Sequence, residues 1–77
     1  MDKFIIKYNT RINGEDKITF HEKISLTDPN ELDVMNVYTE HISFDKSKAM
    51  VFYDREEAEK VCVLFDNSIH VGKVIKK

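Results

Sequence analysis

The sequence predicts an α+β fold, a small antiparallel or mixed sheet packed on one main helix, in the order β-β-(short α)-β-α-β. Three observations predict it. Stretches around 4–8, 18–26, 37–44 and 69–75 alternate apolar and polar residues, the mark of half-buried strands. The stretch 54–67 repeats apolar residues at helical spacing behind a capping residue. A length of 77 residues allows a single domain, 1–77, with one small core. Such a chain buries only about 60% of its unfolded surface, which leaves little volume for a deep pocket.

In the first strand Phe4, Ile6 and Tyr8 form one face and alternate with Lys3, Ile5 and Lys7. In the second, Ile18, Phe20, Ile24 and Leu26 alternate with Thr19, His21, Lys23 and Ser25, and Glu22 is the exception on the apolar face. Between them stands Asn13-Gly14, the strongest short hairpin signal. A two-residue turn pairs Ile12 with Glu15 and Tyr8 with Thr19, and sets the two apolar rows on opposite faces. A three-residue loop, Ile12-Asn13-Gly14, closes Arg11 on Glu15 and pairs Tyr8 with Ile18 and Ile6 with Phe20. Both rows then share a face. The expectation is therefore the longer loop, a type I turn followed by Gly14 in the left-handed region, with a bulge.

In "LTDPNELDVMN", Asp28 can cap a helix, Pro29 suits its first position, and Glu31 falls three residues after the cap. A helix of about two turns follows from this, with a structured loop as the alternative. "NVYTEHISF" is β-branched and aromatic and reads as a third strand. It sets Tyr38, Glu40, Ile42 and Phe44 on one side and Val37, Thr39, His41 and Ser43 on the other. The stretch 45–53 reads either as a strand or as a helical turn that buries Ala49 and Phe52. Asp54 then caps the main helix, and Glu56 and Glu57 complement its dipole. Ala58, Val61, Cys62 and Phe65 make the core stripe, with Val63 off it and exposed. "IHVGKVIKK" is the closing strand, where Gly72 marks a bulge or a close backbone contact.

The charged fraction of 34% is high, but the aliphatic and aromatic residues spread along the chain exclude disorder. A lone Cys62 excludes an internal disulfide. No apolar run approaches the roughly 20 residues of a bilayer span, and the N-terminus does not read as a signal peptide. The expectation is a soluble cytoplasmic protein with no membrane partner. The net charge of −2 is unevenly placed. Lys3, Lys7 and Arg11 stand against Asp2 at one end, and Lys60, Lys73, Lys76 and Lys77 against Asp66 at the other. All remaining acids lie between, so the ends are basic and the middle is acidic.

Catalytic motifs are absent. There is no phosphate loop, no Gly-x-Ser-x-Gly, and only two glycines in all. His21, His41 and His70 each fall on a strand, but no metal-ligand spacing occurs. Cys62, mid-helix on the core stripe, reads as a buried structural thiol. The expectation is no enzyme, no cofactor, no metal and no catalytic residue.

The run "ISFDKSKAMVFYDREEAEKVCVLF" resembles small proteins encoded by bacteriophages and prophages of low-GC Gram-positive bacteria. The shared pattern is a strand, an Ala-x-x-Phe pair (Ala49, Phe52), a Glu-Glu-Ala helix (Glu56, Glu57, Ala58) and a closing strand (69–75). The resemblance covers roughly the C-terminal half. It implies a helical turn at 45–50, a bacterial cytoplasm as the setting, and a class in which some members bind and inhibit host enzymes such as restriction, repair and CRISPR nucleases.

Two surfaces are candidates for such binding. An acidic one, Asp28, Glu31, Asp33 and Glu40, with exposed apolar anchors Ile5, Ile12, Val63 and one side of the last strand, fits a host protein whose identity the sequence does not name. A basic one, Lys3, Lys7, Lys73 and Lys76, fits the alternative of a nucleic-acid-binding accessory protein. An open strand edge also allows a homodimer or a structural, self-associating role.

Overall fold

The computed structural model describes residues 2–26 and 38–77. Four strands, β1 (Phe4–Ile12), β2 (Glu15–Leu26), β3 (Tyr38–Ser43) and β4 (His70–Lys76), form one sheet in the order β3-β2-β1-β4. Every neighbouring pair is antiparallel. A 3-10 turn at Lys46–Lys48 and the helix α1 (Arg55–Phe65) connect β3 to β4. The class is α+β, as expected. The short helix expected after Asp28 lies outside the described residues.

The hairpin differs from the expectation. Ile12 pairs with Glu15 and Tyr8 with Thr19, so the turn has two residues. Asn13 (φ 52°) and Gly14 (φ 81°) both take positive φ, the type I′ conformation that Asn-Gly favours and that matches strand twist. The apolar rows therefore do lie on opposite faces, and each row has its own cover. Phe4, Ile6 and Tyr8 pack with Phe52, Ala58, Cys62 and Val74 on the helix side. Phe20 packs with Ile5 and Ala49 on the other. Ile5, expected as an exposed anchor, is thus fully buried.

A bulge after His21 changes the second strand again. His21 stands opposite Ile42, but Lys23 stands opposite His41. Two residues oppose one, so Ile24 falls opposite Glu40 on the helix side instead of continuing the Ile18–Phe20 row. At the start of the sheet, Phe4 exchanges backbone hydrogen bonds with Phe52 (both 2.8 Å), and the Met50 N–H donates to the His21 carbonyl (2.8 Å). Residues 49–52 thereby cross from one face to the other. Ala49 and Phe52 are both buried, but in different clusters. The stretch 45–53 is a capped helical turn, with the Asp45 carboxylate accepting from the Ser47 N–H at 2.9 Å, followed by this crossing.

Helix α1 follows its sequence pattern. The Asp54 carboxylate accepts from the Glu56 N–H at 2.9 Å. Ala58 and Cys62 are buried, Val61 and Phe65 pack beside them, and Val63 is 74% exposed. The helix lies over β4 and β1. Gly72 permits that approach: a Cβ there would sit 2.5 Å from Cys62 Sγ and 2.7 Å from the Tyr8 ring. Among the described residues, no helix is long and apolar enough to cross a membrane.

Candidate functional site

Each face of the sheet carries a distinctive group of residues. On the helix side, register brings Tyr8 and Thr10 of β1, Thr19 and His21 of β2, Glu40 of β3 and His70 of β4 into one polar cluster. Glu40 comes from an edge strand yet reaches across the sheet. Its carboxylate is 7% exposed and accepts from Tyr8 Oη (2.6 Å), His21 Nδ1 (2.7 Å) and His70 Nε2 (2.9 Å). An ionised carboxylate only accepts, so both imidazoles must present N–H to it. On the far side of its ring, His70 Nδ1 hydrogen-bonds the Thr10 hydroxyl (2.7 Å), which bonds that of Thr19 (2.9 Å). Tyr8 stacks on His70 at 3.8 Å between centroids. His21 lies among Phe52 and Phe65, and its Nε2 is buried without a partner.

Burial pushes the Glu40 carboxyl up, but hydrogen bonds from His21, Tyr8 and His70 outweigh it and hold the group below the ordinary value of 4.5. Burial first, and then the bond to Glu40, push the Tyr8 phenol far above its ordinary range, so it stays a donor. Burial also raises the Cys62 thiol, with Asp66, Glu59 and Glu40 adding to the effect, which keeps it protonated.

The order Thr10–His70–Glu40 is that of a hydroxyl activated by an imidazole and a carboxylate. Here, however, the same carboxylate is shared with His21 and Tyr8, and the Thr10 oxygen with Thr19. The bonds run from one strand to the next and tie all four together. Among the described residues, no group of three or more His, Cys, Asp and Glu is placed to hold a metal ion.

Among the described residues, cover on the opposite face comes at one end, where Ala49 and Val51 lie on Ile5, Phe20 and Ile75. Beyond that cover a depression of about 330 Å³ is lined by Lys7, Asn9, Ile18, Val71, Lys73 and Ile75. Ile18 is 46% and Val71 52% exposed. A second depression, about 220 Å³, shares Asn9 and Val71 and continues to Arg11, Asp16, Ser68 and Ile69.

The residues singled out from sequence are dispersed. Asp28, Glu31 and Asp33 lie outside the described residues. Glu40 belongs to no exposed acidic surface, because three donors hold its 7% exposed carboxylate inside. Val63 is exposed as expected, but on the helix, away from the depressions. Lys7 and Lys73 stand directly opposite each other on β1 and β4. Lys76 is opposite Phe4, on the helix side, and reaches Asp2 at 3.7 Å. Lys3 is exposed at the end of the sheet, where its carbonyl accepts from the Lys77 N–H. Sequence reading missed the polar cluster and the Ile18–Val71 floor. Their local signals were His21 and His70 on strands and one apolar side to the last strand. No family model matches the chain, and no curated protein or solved structure matches it.

Proposed function

We propose that this protein is a non-enzymatic binding module that docks another protein on the open face of its sheet. The observation that carries the reading is the exposed aliphatic pair Ile18 and Val71 on either side of β1, flanked by Lys7 and Lys73. Apolar surface left open and rimmed by charge is characteristic of interaction sites, since covering it gains roughly 25 cal/mol per Å². The acid–base groups on the helix side are engaged with one another, which favours binding over catalysis. A module that modulates or inhibits a host enzyme, the class implied by the phage-protein resemblance, would act by occupying such a surface on its target. Nucleic-acid binding is favoured by the paired lysines, but none of the described residues lining the two depressions is aromatic, so they offer a base no ring to stack on.

The test is affinity capture from a nuclease-treated bacterial lysate with wild type, Val71→Ser and Val63→Ser. The expected result is one stoichiometric protein that is lost with Val71→Ser and kept with Val63→Ser. Loss only with Val63→Ser would move the interface to the helix. Capture abolished by nuclease, or capture of copies of the chain alone, would overturn the reading in favour of nucleic acid or self-association.

A further inference from the structure

The chemistry of the partner can be taken further, on the basis of the binding-module reading. The two depressions share Asn9 and Val71 and so form one trough along β1. At its centre Asn9 has Ile18 opposite on β2 and Val71 opposite on β4, a short polar side chain between two aliphatic walls. At one end Lys7 and Lys73 face each other across neighbouring strands, and neither forms an ion pair with a described residue. Like charges placed directly opposite repel, and a carboxylate seated between them turns that repulsion into attraction. At the other end is Arg11, whose one ion pair among the described residues is an exposed contact with Asp16 at 3.4 Å, weak enough to exchange. Lys7 and Arg11 are four residues apart on one strand, about 13 Å at ~3.3 Å per residue.

We propose that the trough selects an acidic protein segment in which two carboxylates about 13 Å apart flank one apolar side chain. The apolar group enters between Ile18 and Val71, one carboxylate meets Lys7 and Lys73, and the other meets Arg11. An extended segment of the form Glu-x-Leu-x-Glu has that spacing, because alternate residues share a side. A nucleic-acid backbone would supply the anions but nothing for the aliphatic walls.

The test is an NMR titration of the isotopically labelled protein with three probes. They are a capped peptide containing Glu-x-Leu-x-Glu, its Gln-x-Leu-x-Gln counterpart, and oligothymidylate. The expected result is amide shifts at residues 7–11, 18 and 71–73 with the glutamate peptide, weakening as salt rises. Binding should be at least about tenfold weaker with the glutamine peptide and with Lys73→Glu. That variant sets a glutamate opposite Lys7 and should melt no lower than wild type, so its loss of binding is not unfolding. Equal binding of the glutamine peptide, tighter binding of oligothymidylate, or no shift at millimolar glutamate peptide would overturn the proposal. In lysate capture, a partner lost with Val71→Ser but kept with Lys73→Glu leaves the open face as the interface and refutes its acidic selectivity. A partner kept with both variants refutes the face itself.

Discussion

Replacing Glu40 by leucine deletes one acceptor and strands three donors: Tyr8 Oη, His21 Nδ1 and His70 Nε2 at 2.6, 2.7 and 2.9 Å. A hydrogen bond to a charged group contributes about 1.5–3 kcal/mol. The three do not add in full. Each imidazole can shift its proton, His70 is 13% exposed to water, and leucine recovers some apolar burial. The expected loss is about 3 kcal/mol, the lower end of what breaking a buried pair costs. By the general range per residue, a chain of this length has about 4–12 kcal/mol in all. At about 4–8 °C per kcal/mol, the variant should melt roughly 12–24 °C lower. Urea denaturation followed by far-UV circular dichroism measures this, and an unchanged m value would show that the variant folds to the same extent. The pH dependence adds a second readout. Glu40 is held below its ordinary 4.5 in the folded state, so the unfolded state binds its proton more readily. Its contribution is fully present above the ordinary value and is lost as pH falls through the lower, folded one. Wild type and Glu40→Leu should differ most at neutral pH and converge in acid. A loss under about 1 kcal/mol, or curves that stay parallel from neutral pH into acid, would refute the tie that Glu40 is argued to make between strands.

Gly72→Ala should cost about 1–3 kcal/mol by overpacking, since its Cβ meets Cys62 Sγ at 2.5 Å and the Tyr8 ring at 2.7 Å. Cys62→Ala in the same chain should recover part of that loss in urea titrations, and strict additivity of the two changes would disprove the contact. Gly14→Ala meets nothing within 4 Å, so its cost is conformational alone, about 1–2 kcal/mol for a side chain held at φ 81°. Gly14→Asn should lose less, because asparagine tolerates that region; equal stability of all three chains would contradict the type I′ turn.

Helix α1 was fully legible because its determinants are local. Asp54 sits where a cap is needed, and Ala58, Val61, Cys62 and Phe65 recur at the helical period. The strands and the exposure of Val63 were legible for the same reason, whereas at Gly72 the sequence leaves a bulge and a close contact open, and the approach of Cys62 and Tyr8 from other elements decides between them. The hairpin was misjudged, although its local signal was correct. Asn13-Gly14 specifies a two-residue turn, and only the assumption of a single apolar face pointed elsewhere.

The amino-acid sequence by itself determined which segments become strands and helix, since capping, periodicity and turn chemistry act within a few residues. Tertiary structure alone decided what covers each face of the sheet. Thr19 and His21 can be buried beside Tyr8 only because Glu40 and His70 arrive from other strands to satisfy the cluster. Phe20 can turn away only because Ala49 crosses the sheet to cover it. The cover stops short of Ile18 and Val71. That shortfall, the origin of the open trough, depends on where a distant segment crosses and is invisible in the alternation of any one strand.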